Sequence, residues 1–359
     1  MIDLNDVNEI EKSDPDGYLK ILAETPSLCR QVLAEFDQVG LAKKKFEKVA
    51  ICAMGGSAIG ADLARYLLEF KTNLNIQVLR DYNLPNWVDN KTLVIAISYS
   101  GNTEETLTAF SLAKKRNCLI YVIASGGKLI EQTKNNLIDY FLLPTGLPPR
   151  TAWGLSFILV NELIRKYGAL QKNDLDSKVM IDEMEKSIDA YRHALPIEKN
   201  PAKSIALSLV KSTPIIFGAE HLGVVARRWK GQFNENAKLP SFYEDLPELN
   251  HNSQQGLECG DEIKKSLSYL VLDSANYHPR NQLRAKVVFE SWQKNGFDAT
   301  LVQVGGENTF EEMIRCVILG DFVSVYLALM LGKNPVKYEA IEELKAYLKT
   351  EEYTKELLG

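Results

Sequence analysis

The chain has 359 residues, 45% of them hydrophobic and 25% charged, with 42 basic against 47 acidic side chains and a net charge of −5. Those proportions exclude a disordered or collagen-like chain and carry no basic footprint for nucleic acid. At about 150 residues per domain, the length predicts two domains.

The longest apolar stretch, Val317 to Leu331, is interrupted by Asp321 and falls short of the roughly 18 residues of a membrane span, so no membrane association is expected. The N-terminus, Met1-Ile2-Asp3-Leu4-Asn5-Asp6, is acidic and lacks the basic and apolar regions of a signal peptide. Five cysteines, Cys29, Cys52, Cys118, Cys259 and Cys316, are odd in number and form no C-x-x-C pair, which predicts neither a disulfide framework nor a zinc site. Cys52 and Cys118 sit in or beside apolar runs and read as buried inert thiols. The expected compartment is the reducing cytoplasm.

The first forty residues read as helical. Leu19 and Leu22, then Leu28, Val32, Leu33 and Phe36, have the spacing of buried faces, and Pro26 is expected to start a second helix. The run Ala42-Lys43-Lys44-Lys45 reads as a solvated helix face. Short apolar runs follow near residues 50, 78, 95, 121 and 141, each succeeded by turn chemistry or a helical pattern. Such alternation predicts a parallel sheet covered on both faces.

A polar stretch, Gln171 to Lys178, and a charged helix around Met180 to Tyr191 separate this half from a second one. There the pattern restarts with strands at Pro214 to Gly218, Ser268 to Leu272 and Ala299 to Val304, and a long helix at Thr309 to Leu331. The tail, Tyr338 to Leu358, places Ile341, Leu344, Leu348 and Leu357 on one face of a helix. The predicted fold is α/β, with two similar three-layer αβα domains, each with a mainly parallel sheet, and a C-terminal helix. The boundaries are 1–175 (including the helical N-terminal segment), 195–335, and 336–359 for the helix.

Two strand-to-helix turns carry the chemistry. Met54-Gly55-Gly56-Ser57-Ala58-Ile59-Gly60 follows a strand and opens a helix, yet Ser57 stands where a dinucleotide fingerprint would have its second glycine. That disfavours NAD and favours a smaller oxyanion, met by the Ser57 hydroxyl beside helix N–H groups at Gly56. The second turn, Ser98-Tyr99-Ser100-Gly101-Asn102-Thr103, gathers three hydroxyls before a helix beginning Glu104-Glu105. Ser98, Ser100 and Thr103 suit the oxygens of a phosphate monoester, with the helix N-terminus adding partial positive charge. Thr103 alone would also be an ordinary helix cap.

With these turns, the chain resembles the SIS-domain sugar isomerases. Further likeness to their bifunctional phosphoglucose/phosphomannose isomerase branch rests on Pro148-Pro149-Arg150-Thr151-Ala152, Asn234-Glu235-Asn236-Ala237-Lys238 and Glu248-Leu249-Asn250-His251-Asn252. The resemblance implies two SIS domains and a cofactor-free, metal-free aldose–ketose isomerase of glycolysis and gluconeogenesis. It would act on glucose 6-phosphate and mannose 6-phosphate, and on fructose 6-phosphate in reverse, through a cis-enediol(ate). It also assigns proton transfer to Glu235, whose carboxylate the two flanking asparagines could hold.

In the same resemblance, Arg150 offsets enediolate charge, since a guanidinium is permanently cationic. His251 opens the sugar ring and is contributed by the neighbouring subunit of a homodimer. A lysine on the C-terminal helix assists ring opening. Lys345, bordering the face made by Ile341 and Leu348, is the first candidate and Lys337 the competitor. Two other readings remain for such a chain. A non-catalytic sugar-phosphate sensor would need neither Glu235 nor His251, and an aminotransferring isomerase would need a glutaminase domain that has no place in this sequence.

Overall fold

The computed structural model describes residues 1–171 and 174–348. Lys172 and Asn173 of the expected polar stretch, and Leu357 with the rest of the expected tail helix beyond Leu348, lie outside the described residues. The chain opens with α1 (Val7–Ser13), capped by the Asp6 carboxylate, and α2 (Tyr18–Asp37). Pro26 does not start a helix but lies inside α2. Leu19, Leu22, Val32, Leu33 and Phe36 are all buried on either side of it, and that packing outweighs the one backbone hydrogen bond a proline forfeits. Residues 42–45 are exposed, as expected, but belong to an irregular segment rather than a helix.

Next come β1 (Lys48–Ala53), α3 (Gly55–Glu69), β2 (Asn75–Leu79), β3 (Thr92–Ser98), α4 (Glu104–Lys115), β4 (Leu119–Ala124), α5 (Gly127–Asn135) and β5 (Asp139–Leu142). A 3₁₀ turn, Pro149–Thr151, leads into α6 (Trp153–Lys166). The five strands form one sheet in the order β2-β1-β3-β4-β5, every neighbouring pair parallel. β3 is buried along its whole length because helices cover both faces. On one face Ala50, Cys52, Val94, Ala96 and Val122 pack with Leu107 and Phe110 of α4 and Leu129 of α5. Tyr121 points the other way, edge-on to Phe36 of α2 at 6.4 Å.

The remaining elements are α7 (Ser177–Asp189), α8 (Pro201–Ser208), β6 (Thr213–Ala219), α9 (Glu220–Glu235), β7 (Phe242–Leu246), α10 (Asp261–Ser266), β8 (Leu267–Leu272), α11 (Pro279–Lys294), β9 (Asp298–Val302), α12 (Thr309–Met330) and α13 (Glu339–Leu348). Here the parallel order is β7-β6-β8-β9. Trp292 of α11 packs on Tyr269 of β8 and Phe217 of β6, with centroids 3.9 and 5.7 Å apart.

Contacts divide the chain into two compact units. The five-stranded unit comprises Glu24–Ile181 and Tyr338–Gly359, and the four-stranded unit comprises Met1–Ala23 and Asp182–Lys337. α13 therefore belongs with the first sheet. α12 is longer than the apolar stretch seen in the sequence, and its 22 residues are long and apolar enough to cross a membrane. It is 94% buried over its most apolar window, however, and its Asp321 takes both carboxylate bonds of Arg228 of α9, at 2.9 and 2.7 Å. A helix apolar on every side in this setting is a core helix.

Candidate active site

The β3–α4 turn is built by close backbone approach. Gly101 has φ +68°, and a Cβ there would lie 1.7 Å from the carbonyl oxygen of Gly126. Only glycine fits, and the β4–α5 turn is thereby pressed against this one. The Lys128 N–H donates to Asn102 Oδ1 at 3.1 Å, and the Ser125 N–H donates to Tyr99 O at 2.9 Å. This third turn, Ser125-Gly126-Gly127, was not among the residues singled out from the sequence. Its signal is a small-residue run at the end of β4.

The predicted hydroxyls divide into two groups. Ser98 and Ser57 are buried and already engaged: the Ser98 hydroxyl accepts from the Gly101 N–H at 3.1 Å and pairs with Thr103 Oγ1 at 2.9 Å. Ser57 Oγ accepts the Tyr99 N–H at 3.2 Å, tying the β1–α3 turn to the β3–α4 turn. Ser100 is exposed and Thr103 half-buried. Thr103 occupies the N-cap of α4 with extended backbone but makes no side-chain cap bond. The first-turn N–H groups of α4 thus meet no capping side chain from Thr103, and they carry partial positive charge. Glu104 and Glu105 in that turn temper it.

Gly56 brings Arg150 to the same place. A Cβ at Gly56 would fall 2.6 Å from Pro149 O and 2.7 Å from Arg150 Cα, so the 3₁₀ turn rests on the start of α3. Arg150 is buried, with its guanidinium 5.7 Å from the ring centre of Tyr338, a cation–π distance. Gly56, Ser57, Ser98, Ser100, Thr103 and Arg150 all belong to the five-stranded unit. Burial raises the Tyr99 hydroxyl pKa, while a hydrogen bond from the Leu147 N–H works against it. That hydroxyl also donates to Pro144 O at 2.8 Å and so fixes the segment leading to Arg150.

Glu235 and His251 lie in the four-stranded unit. Glu235 is the last residue of α9 and is half-buried. Each flanking asparagine, expected beside its carboxylate, also fastens the chain around it. Asn234 Nδ2 donates to Leu239 O and Ser241 Oγ at 2.9 and 3.1 Å, and buried Asn236 donates to Ser324 Oγ of α12 at 2.9 Å. Together with Gln232, which donates to Asp321 at 2.9 Å, and Arg228, Asn236 forms a stripe on α9 at four-residue spacing, the period of one helix face. Asn236 therefore braces the end of the helix that carries Glu235.

His251 ends a 3₁₀ turn, Glu248–His251, and is exposed. The turn is held by Arg284 of α11, which donates to Asn250 Oδ1 at 2.8 Å, and Ser253 next along donates to Glu244 of β7. Lys345 is exposed on α13, and so are Ile341, Leu344 and Leu348, the residues of the face it was expected to border. Lys337 is exposed, and its carbonyl accepts from Lys238 at 2.6 Å. Among the described residues, no cluster of His, Cys, Asp and Glu has the arrangement of a metal site.

Comparison with known proteins identifies the architecture and the family. The SIS domain profile matches residues 40–138, and that of the bacterial phospho-glucose isomerase C-terminal SIS domain matches residues 198–348. Among solved structures, a hypothetical protein from Thermus thermophilus superposes with a TM-score of 0.70 over 96% of this chain and 91% of that one. The C-terminal domain of glucosamine-fructose-6-phosphate aminotransferase from Francisella tularensis superposes with 0.68 over 89% and 98%. Both are 16% identical, a likeness of fold alone.

Curated relatives are nearer. A bifunctional phosphoglucose/phosphomannose isomerase of Caldicellulosiruptor bescii is 37% identical over 86% of this chain and 91% of its own length. Its counterpart in Aquifex aeolicus is 32% identical over 88% and 94%. A D-glucosamine-6-phosphate 4-epimerase of Sulfolobus acidocaldarius is 31% identical over 66% and 76%. With two parallel-sheet SIS domains and identity of this extent, the chain belongs to the bifunctional phosphoglucose/phosphomannose isomerase family.

Proposed function

We propose that this chain is an aldose–ketose isomerase interconverting glucose 6-phosphate and mannose 6-phosphate with fructose 6-phosphate, and that it needs no cofactor. The observation that carries the reading is its 37% identity to a bifunctional isomerase over 91% of that enzyme. The β3–α4 turn supplies support of a different kind. Exposed Ser100, half-buried Thr103 and the start of α4 offer hydroxyl and N–H donors for three phosphate oxygens.

In this reading His251, aided by Lys345, opens the ring. Glu235 takes the C2 proton of the aldehyde form while O1 gains one, giving the cis-enediol(ate). The proton then returns to C1 as O2 loses its own. C1 is reduced as C2 is oxidised, so electrons balance within the sugar. Arg150 opposes the oxyanion charge, and Gly56, Ser57 and Ser98 shape the turns that hold the phosphate. The active form is a homodimer with His251 supplied across the interface. Exposed Leu283 and Val287 on α11, the helix that holds the His251 turn, give an apolar strip in keeping with such an interface. The enzyme works in the reducing cytoplasm, in keeping with the thiols of Cys29 and Cys52, which burial pushes up to about 12; Cys118 is only half-buried.

The test is to incubate the purified protein with fructose 6-phosphate and no additive. Both glucose 6-phosphate and mannose 6-phosphate should form, and neither forming would overturn the reading. A parallel incubation with glucosamine 6-phosphate addresses the one competing reading, raised by the Sulfolobus relative; a C4 epimer would favour it. Mixing Glu235→Gln with His251→Ala subunits should restore part of the activity if the site is shared across a dimer.

A further inference from the structure

We propose that Lys238 is the positioning residue for Glu235, acting as an internal cation that closes the end of α9. This rests on the reading of Glu235 as the proton-transferring base. The Lys238 ammonium donates to the carbonyl oxygens of Glu235 at 2.6 Å, Asn334 at 2.8 Å and Lys337 at 2.6 Å, with Asn236 O at 3.4 Å. Carbonyls at the end of a helix have no partner within it and carry partial negative charge, and a lysine there satisfies both needs. To reach them, Lys238 adopts φ +57°, a left-handed conformation uncommon for a residue with a side chain.

The arrangement does more than cap. The peptide carbonyl of Glu235 is one of the ammonium's acceptors, so Lys238 fixes the orientation from which the carboxylate leaves the backbone. Asn236 fastens the next residue to Ser324 of α12 from the other side. The two remaining strong acceptors, Asn334 O and Lys337 O, belong to the segment between α12 and α13, so one side chain sets the end of the catalytic helix and that segment together. Because the lysine is exposed rather than packed in the core, replacing it removes these bonds without opening a cavity.

The experiment compares wild type, Lys238→Met, Glu235→Gln and the double variant on glucose 6-phosphate carrying hydrogen or deuterium at C2. A displaced base predicts a kcat lower by about ten- to a hundredfold, the scale of a roughly 1 Å misplacement. KM should change little, and the deuterium isotope effect on kcat should rise as proton transfer becomes slower than the other steps. The double variant should be no worse than Glu235→Gln alone. Lys238→Cys alkylated with 2-bromoethylamine, which rebuilds an ammonium at nearly the same length, should recover turnover, with wild type alkylated in parallel as the control. A purely structural lysine would lower the amount of folded enzyme and leave the isotope effect unchanged, and that result overturns the inference. An inert Glu235→Gln beside an unimpaired Lys238→Met overturns it while leaving the base assignment standing. A fully active Glu235→Gln overturns both.

Discussion

At the end of β1 the chain passes through Met54 (φ −125°, ψ 158°) and Gly55 (φ +50°) into α3, and at the end of β6 it passes through Ala219 (φ −123°, ψ 158°) and Glu220 (φ +48°) into α9. The backbone is the same and the side chains are not. In the four-stranded unit the Glu220 carboxylate accepts from the His278 N–H at 2.9 Å and from Asn281 Nδ2 at 2.7 Å, at the start of α11. In the turn after β8, Ser274 donates to Glu312, which also meets His221 Nε2 at 2.9 Å. In the corresponding turn of the five-stranded unit Ser98 and Thr103 bond each other, and Thr103, ahead of Glu104 and Glu105, leaves α4 without a side-chain cap bond. The duplicated scaffold thus presents donors twice. In one unit the chain answers them with its own carboxylates, and in the other it sets a Ser98–Thr103 hydroxyl pair beside exposed Ser100. Repetition of a fold does not repeat its chemistry.

Variants in the two units should therefore fail in different ways. The largest effect is expected for Glu235→Gln, with kcat lower by about 10²- to 10⁴-fold and KM for fructose 6-phosphate within a few-fold of wild type. Steady-state kinetics on one preparation gives both numbers. Next comes Ser100→Ala combined with Thr103→Ala. Hydrogen bonds to a charged group are worth about 1.5–3 kcal/mol each, so KM should rise at least about a hundredfold while kcat changes less. A KM that stays put would erase the proposed contrast between the units.

A smaller effect is expected for Glu312→Gln, which removes charge from the plugged turn. Burial pushes the Glu312 carboxyl up, but hydrogen bonds from His221, Ser274 and Asn276 outweigh it and hold the pKa below the ordinary 4.5. A depressed folded pKa stabilises above the unfolded value and ceases to as pH falls through the folded one. Wild type should therefore lose stability relative to Glu312→Gln below about pH 4.5. At neutral pH the variant should be less stable by about 1–3 kcal/mol, read by urea titration, with KM unchanged. The smallest effect is expected for Ser57→Ala, about 1 kcal/mol for one neutral hydrogen bond to the Tyr99 N–H, measured in the same way.

The central strands were legible because each is a short run buried on both faces, and such runs are nearly continuous in apolar residues. β7 was not. Phe242-Tyr243-Glu244-Asp245-Leu246 is an edge strand with one buried residue, Leu246, and its polarity reads as loop. Within the candidate site, the hydroxyl cluster showed itself through local spacing alone. What Ser57, Ser98 and Asn236 actually bond could not be read locally. Ser57 meets a backbone 42 residues away and Asn236 meets a hydroxyl 88 residues away, and only tertiary packing decides such pairs. The left-handed turns at Glu220 and Lys238 are not legible even though Lys238 stands in a quoted motif, because a charged residue at positive φ has no compositional mark, whereas glycine at such a position does.

Asp321 has a consequence for how the chain is handled while it is being made. As α12 leaves the ribosome, its 22 largely apolar residues offer an insertion machinery the same length and hydropathy as an anchor, before Arg228 has met its partner. A carboxylate near the centre of such a segment costs about 2.5–3.5 kcal/mol on transfer into the bilayer. The acid that neutralises Arg228 in the finished core thus also raises the cost of moving the isolated helix into lipid.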